Sequence, residues 1–161
     1  MPRCKAGPIR WTTWTRPNSR PVKAPTKPGH FGTPEECEAA FYEAFRAGDL
    51  TAMQRAWSAG PECVCIHPAR PPLAGRDAVL RSWEEILANS GGVEVRFECH
   101  SRSRADCLAV HIGIEFIGPQ DKPPALVTVT NIYGLTEQGW KLRVHHAGPI
   151  HRDAAPPEVV H

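Results

Sequence analysis

The sequence has no hydrophobic stretch that approaches the roughly 20 apolar residues needed to cross a bilayer as a helix. Its first residues also lack the continuous apolar region of a secretory signal peptide, because charged residues and prolines interrupt them. These absences argue against a membrane-spanning protein and against secretion. We therefore expect a cytoplasmic protein that does not bind a membrane.

The usual motifs of metal and nucleotide binding are also missing. The sequence has no C-x-x-C or H-x-x-x-H spacing and no glycine-rich phosphate loop. Cys63, Cys65 and His67 share one face of a predicted strand, but such neighbours lie about 7 Å apart, which is awkward for three ligands of one zinc ion. We therefore predict no metal site and no cofactor.

Cysteine is present, and its placement suggests packing rather than cross-linking. Five of the six cysteines fall within segments of apolar periodicity, where a free cysteine behaves as a small hydrophobic residue. We expect these five to be reduced core thiols. They are Cys37, Cys63, Cys65, Cys99 and Cys107.

Acidic residues are absent from positions 1–32, which carry seven Lys or Arg and six prolines. Because prolines prevent a continuous helix and few of these residues could be buried, we predict a disordered basic tail. Two other interpretations are a nucleic-acid-binding arm, with Trp11 and Trp14 between the basic residues, and an organelle-targeting peptide. Prolines disfavour the targeting helix, and nucleic-acid binding is the least favoured function.

Helical signals dominate the next part of the chain. A capping box at Thr33 begins a helix, apolar residues then recur at helical spacing, and Gly48 ends it. Two further helices are predicted at 49–57 and at about 77–88, with a short strand at 63–67 between them.

From residue 93 onwards, apolar and polar residues alternate with the period of two that is typical of strands covered on one side. Four strands are predicted, at 93–100, 108–116, 125–135 and 140–146. An order in which the helices come first and a long meander of strands follows predicts an α+β fold. In this fold a curved antiparallel sheet wraps around three N-terminal helices. We assign this domain to residues 33–150 and a second short tail to residues 151–161.

Several segments in this order resemble a known group of proteins. They are Arg46-Ala47-Gly48-Asp49-Leu50, Val64-Cys65-Ile66-His67-Pro68, Gly75-Arg76 with Ser82-Trp83, Thr130-Asn131-Ile132-Tyr133, and Gly139-Trp140 with His145-His146-Ala147. Over roughly residues 33–150 the chain resembles SnoaL-like members of the nuclear-transport-factor-2-like superfamily. The resemblance implies a cystatin-like cone roll with one enclosed pocket. It does not select an activity, because the superfamily includes isomerases, cyclases, dehydratases, hydrolases and non-catalytic binders.

Ketosteroid isomerase belongs to this superfamily, and its motif can be placed on the sequence. The resemblance puts its oxyanion tyrosine at Phe41, which has no hydroxyl, and its general-base aspartate at His67. Its protonated aspartate falls at Asn131, whose amide still donates a hydrogen bond. One of the three roles is lost and two are changed.

His67 is the first candidate catalytic residue, because imidazole titrates near neutral pH and can accept a proton next to a carbonyl. Asn131 continues the buried alternation of its strand, and His146 continues the face of Trp140 and Leu142. We therefore predict that His67, Asn131 and His146 form a catalytic triangle inside an apolar pocket. The residues predicted to bind the ligand are Phe41, Trp57, Cys65, Trp83, Val110, Ile112, Val129, Tyr133 and Val144.

Two functions follow from this site. One is cofactor-free proton transfer on a small, mostly apolar metabolite by an isomerase, cyclase or dehydratase, with His67 as base and Asn131 as donor. The other is a non-catalytic ligand-binding or dimeric adaptor domain, in which the three polar side chains satisfy one another. The missing hydroxyl at Phe41 favours the second function.

The outer face of the sheet is predicted to carry Thr128, Thr130 and Ile132 beside His111 and Glu115. This mixed, weakly charged composition suggests a protein partner. Related cones commonly pair through the same surface, so the resemblance implies a homodimer.

Overall fold

A computed structural model of the chain describes residues 28–89, 93–119 and 121–150. Residues 1–27 of the basic tail predicted at 1–32 lie outside the described part of the chain. The tail predicted at 151–161 lies entirely outside it. Within the described part, no helix is long and apolar enough to cross a membrane.

Three helices come first, and the residues that flank them explain where they begin and end. Thr33 caps the first helix, since its hydroxyl accepts a hydrogen bond from the N–H of Glu36 at 3.1 Å. Gly48 ends that helix in the left-handed conformation, with a φ of 64°. The helices are α1 (Pro34–Ala47), α2 (Leu50–Ala56) and α3 (Arg76–Asn89).

Six strands form one sheet in the order β2-β1-β6-β5-β4-β3. The strands are β1 (Val64–Ile66), β2 (Leu73–Ala74), β3 (Glu94–Arg104), β4 (Leu108–Gly118), β5 (Ala125–Thr136) and β6 (Gly139–Pro149). Neighbouring strands are antiparallel except β1 and β6, which run parallel. The α+β prediction is confirmed, with a mixed sheet in place of a wholly antiparallel one.

One face of the sheet packs against the helices, and large aromatic side chains fill the space between them. Phe41, Trp57, Trp83, Tyr133 and Trp140 are each at most 2% exposed and belong to one core cluster. Phe41 lies edge-on to Trp83, with 5.2 Å between the ring centroids. The predicted wall residues on the helices therefore pack against one another as core.

The folded part of the chain begins ahead of the first helix. Phe31 is 3% exposed, and its carbonyl accepts a hydrogen bond from the N–H of Trp140 at 2.8 Å. The ammonium group of Lys141 donates to the carbonyls of Gly29 and Arg55 at 2.5 and 2.6 Å. Lys141 thereby joins the segment before α1 to the end of α2.

The face of β4 that points to the helices is the opposite of the predicted one. Ala109, His111, Gly113 and Glu115 are buried, whereas Ile112 is 42% exposed. The prediction that Val110 and Ile112 line a pocket is therefore wrong, as is the placement of His111 and Glu115 on the outer face. The large apolar residues of this strand lie on its outer face, so the alternation of apolar and polar residues indicated the wrong inner face.

The inner face of β6 changes at a bulge. Ile132 pairs with Val144 and Tyr133 with Leu142, which leaves Arg143 as an extra residue on β6. A one-residue insertion reverses the direction of every following side chain. His145 is consequently buried and His146 exposed, so the prediction that His146 faces the interior is wrong.

The bulge also turns Val144 outward, contrary to its predicted place in the pocket. Across neighbouring strands, the outer face has two continuous rows of side chains. They are Val64, Val144, Ile132 and Val110, and Ile66, His146, Thr130 and Ile112. The outer face is thus more apolar than the sequence suggested.

Four cysteines are free thiols, and three of these, Cys37, Cys63 and Cys65, are fully buried. Burial raises the pKa of Cys37 and of Cys65 to about 12, so both thiols stay protonated near neutral pH. The prediction is wrong for Cys107, which is disulfide-bonded. It lies half-buried in the turn between β3 and β4 and not in the core.

The buried glycine of β4 provides a test of this packing. A methyl group at Gly113 would collide with the carbonyl of Glu98 and the ring of Phe97, so we expect Gly113→Ala to lower the free energy of unfolding by about 1–3 kcal/mol. Urea unfolding measures the change. Gly148→Ala is the control, because no atom lies within 4 Å of the added methyl group. Equal stability of the two variants would contradict the described packing.

Candidate functional site

His67 directly follows β1 and lies at a groove along one side of α3. Its ring is mostly buried, and its Nε2 atom is 3.0 Å from the hydroxyl oxygen of Ser82. That hydroxyl in turn donates to the carbonyl of Val79 at 2.7 Å. Both hydrogen bonds are satisfied when Nε2 of His67 carries the proton, which leaves Nδ1 as the basic nitrogen.

The surroundings of His67 keep its imidazole neutral. Burial, and to a smaller extent the positive charge of Arg70, lower the pKa of His67 below its ordinary value of 6.5. A neutral imidazole with a fixed tautomer can accept a proton at pH 7. The same hydrogen bonds commit the proton of Ser82 to a backbone carbonyl, so the pair is not arranged as a serine nucleophile with its base.

The groove itself has a volume of about 580 Å³. The turn after β1 forms one side of it and α3 the other. Pro71, Leu73 and Ile86 supply apolar surface, and His67 and Ser82 supply polar groups. A volume of this size is within the range of small-molecule sites in proteins.

A second polar system lies in the core and forms a continuous hydrogen-bonded chain. His145 Nδ1 is 2.8 Å from Asn131 Oδ1, and Asn131 Nδ2 donates to the hydroxyl of Tyr42 at 3.0 Å. The Tyr42 hydroxyl donates to Glu115 Oε1 at 2.8 Å. All four side chains are at most 3% exposed. Every donor in this chain points toward Glu115, and we call the set the interior chain.

Burial sets the protonation of both ends of the interior chain. It lowers the pKa of His145 to about 3, with smaller contributions from His67 and His146, so this imidazole is neutral. Burial raises the pKa of Glu115 to about 7, and the hydrogen bond from Tyr42 offsets only part of that effect. Glu115 is therefore a carboxyl group that titrates near neutral pH inside the core.

The predicted triangle of His67, Asn131 and His146 does not form. Asn131 is buried, as predicted, but its partners are Tyr42 and His145. His146 lies on the outer face, and the side chain of His67 bonds to Ser82 at the groove. Sequence reasoning missed Tyr42 and Glu115.

The indole of Trp83 stands next to both polar systems. Its ring centroid is 5.2 Å from that of His67 and 5.7 Å from that of His145. Cys65 and Val129, two of the predicted lining residues, are also buried, with no more than 1% of their surface exposed. The groove shares no lining residue with the interior chain.

A third polar cluster fixes α1 to the sheet. The carboxylate of Glu38 is 2.6 Å from His111 Nδ1 and accepts from Arg102 at 2.8 Å. His111 is only 1% exposed, so the partner is needed to satisfy a buried imidazole. Among the described residues, no three His, Cys, Asp or Glu side chains are placed to hold one metal ion.

Comparison with known proteins identifies a family. The model of the SnoaL-like domain family matches residues 35–150. No curated protein matches the chain.

Solved structures are similar over most of the chain. One from Thiobacillus denitrificans ATCC 25259, described as a calcium/calmodulin-dependent protein kinase type II association domain, is 33% identical with a TM-score of 0.72 and covers 75% of this chain and 98% of its own. An NTF2-like family protein from Streptomyces avermitilis, described as a dehydratase, is 32% identical with a TM-score of 0.63, and the shares covered are 71% and 91%.

More distant structures share the fold. A ketosteroid isomerase-like protein from Erwinia carotovora atroseptica is 16% identical with a TM-score of 0.58, covering 73% of this chain and 93% of its own. Other neighbours are named for a cystatin-like fold. At such identities the similarity shows the fold alone, and it confirms the predicted NTF2-like, cystatin-like architecture.

The titration of Glu115 gives a stability prediction. Its pKa is higher in the folded protein, at about 7, than the ordinary value of 4.5, so the folded state binds this proton more tightly. The resulting stabilisation is complete below pH 4.5 and is lost as the pH rises through 7. We expect the free energy of unfolding to fall by roughly 2 kcal/mol from this group between about pH 5 and pH 8.

Urea unfolding at several pH values measures this contribution as the difference between the wild type and Glu115→Gln. The amide keeps an oxygen for Tyr42 and does not titrate. Glu84→Gln, at an exposed position of α3, is the control and should retain the wild-type profile. Parallel profiles for wild type and Glu115→Gln would contradict a buried titrating carboxyl group.

Proposed function

Because the chain belongs to the SnoaL-like domain family, whose model matches residues 35–150, we propose that it binds a small, mostly apolar molecule in the groove along α3. We further propose that it catalyses a cofactor-free proton transfer there, of isomerase, cyclase or dehydratase type. The observation that carries this proposal is the neutral imidazole of His67, held in one tautomer at a groove of about 580 Å³.

In the proposed reaction, His67 accepts a proton at Nδ1 from a carbon next to a carbonyl group of the ligand. The hydrogen bond from Nε2 to Ser82 holds the ring in place while its charge changes. Because the pKa of His67 is lowered, the base is already free of its proton at pH 7. The Streptomyces avermitilis relative described as a dehydratase supports this class of reaction.

The interior chain has a different part in this proposal. Asn131, which the sequence suggested as a donor to the ligand, directs its amide to Tyr42. It is therefore a positioning residue that joins the sheet to α1. Asn131 is not among the residues that line the groove, so proton transfer is left to His67.

A second function, association between copies of the chain, is favoured by the outer face of the sheet. Leu108 and Ile112 are 37% and 42% exposed there, and the rows that contain Val110 and Ile132 continue the apolar surface. Apolar surface of this kind is typical of interfaces. The Thiobacillus denitrificans relative is described as an association domain, which supports a homodimer through this face.

Proton exchange tests the enzymatic proposal without knowledge of the natural substrate. In deuterium oxide, we expect the protein to catalyse exchange of the hydrogens next to the carbonyl of benzylacetone, followed by NMR. His67→Gln should lower the catalysed rate at least about 100-fold, the usual contribution of a general base. In the wild type, the rate should fall only below pH 6.5, because the pKa of His67 lies under that value.

His100→Gln is the matched control, since this imidazole is exposed on β3 and lies outside the groove lining. It should leave the exchange rate unchanged. An unchanged rate in His67→Gln, or an equal loss in both variants, would contradict the role of His67.

Sedimentation equilibrium tests association. We expect a wild-type dimer at micromolar concentration, and Ile112→Glu should weaken it by at least about 2 kcal/mol, or roughly thirtyfold in Kd, because a carboxylate would lose its water at the interface. Ala88→Glu adds the same charge at an exposed position of α3 and should leave the dimer intact. A monomeric wild type would contradict the second function.

A further inference from the structure

Two arginines at the groove lack the partners that most of the other described arginines have, and Arg55, which lies away from the groove, is the further described arginine without one. Arg70 and Arg81 both line the groove. Neither guanidinium has a hydrogen bond, ion pair or ring contact within the described part of the chain. By contrast, oxygen partners or an aromatic ring hold the side chains of Arg46, Arg76, Arg96, Arg102, Arg104 and Arg143.

A tight turn holds Arg70 next to the proposed base. The N–H of Arg70 donates to the carbonyl of His67 at 3.1 Å. Between them, Pro68 is followed by Ala69, which has a φ of 59° and is the non-glycine residue with a left-handed backbone among the described residues. Proline followed by a left-handed residue is the pattern of a type II turn. This turn therefore places the start of the Arg70 side chain beside His67.

The charge of the groove is positive overall even when every ionised lining residue is counted. Glu85 also lines it, one helical turn after Arg81, yet the two do not form an ion pair. With His67 neutral, two guanidinium groups face one carboxylate. Pro71, Leu73 and Ile86 make the remaining surface apolar. A cationic edge next to an apolar wall matches an apolar molecule that carries one acidic group.

We infer that the ligand of this groove is a small organic anion, with an apolar stem against Leu73 and Ile86 and a carboxylate or phosphate group bound by Arg70 and Arg81. This inference rests on the proposed function, which places the ligand in the same groove. Guanidinium groups suit this task because their donors match the oxygens of both anions.

Binding of such an anion would also change the proposed base. The positive charge of Arg70 is one cause of the lowered pKa of His67 in the empty groove. An anion on Arg70 cancels part of that charge, so the pKa of His67 rises when the anion binds. The base thus becomes stronger when the ligand is present.

Calorimetric titration of the full chain tests the inference with three related probes, phenylpropionate, its uncharged amide phenylpropionamide, and phenethyl phosphate. We expect the two anions to bind at least about fivefold more tightly than the amide at low salt. The variant Arg70→Gln with Arg81→Gln should lose this preference and keep the affinity for the amide. Arg55→Gln is the matched control, since Arg55 lies on α2, outside the groove lining.

NMR of the histidine side chains supplies a second readout. The pKa of His67 should rise when phenylpropionate binds to the wild type and should stay constant in Arg70→Gln. Amide binding as tight as that of both anions, or an equal effect of Arg55→Gln, would overturn the anion inference and leave the groove as a ligand site. If none of the three probes binds or shifts His67, the proposed function is wrong and the inference falls with it.

Discussion

A buried polar side chain without a hydrogen bond costs free energy, and the interior chain supplies hydrogen bonds to buried side chains on four elements at once. It begins on β6 at His145, passes through Asn131 on β5 and Tyr42 on α1, and ends on β4 at Glu115. Because each group donates in the same direction, the order of donors and acceptors is fixed. These hydrogen bonds join α1 to the sheet in addition to its apolar packing.

Local sequence signals were sufficient for the three helices and for every described strand except the two-residue β2. The cap at Thr33 and the glycine at position 48 bound α1, and the period of two located the long strands. The same period indicated the wrong inner side for β4, because the strand has large apolar residues on the outer side and Gly113 on the inner side. Gly113 is needed there to admit the ring of Phe97, a reason that only the assembled sheet reveals.

The candidate site was only partly predictable from sequence. His67 was found from its chemistry and its place after β1, and Asn131 from the polar interruption of a buried strand. Tyr42 was missed because helical spacing placed only Phe41 on the buried face of α1. The helix is in fact buried on two sides, with Phe41 against Trp83 of α3 and Tyr42 against Phe97 of β3. Arg70 and Arg81 were missed because sequence alone does not show that a turn and a helix enclose a groove.

The bulge at Arg143 has a consequence for how the sheet tolerates change. Two histidines follow one another in β6, so whichever way the strand alternates, one imidazole enters the core and the other reaches the surface. A shift of pairing by one position would usually replace a buried group by an unsuitable one. Here a shift that brought His146 opposite Asn131 in place of His145 would still supply an imidazole to the buried amide.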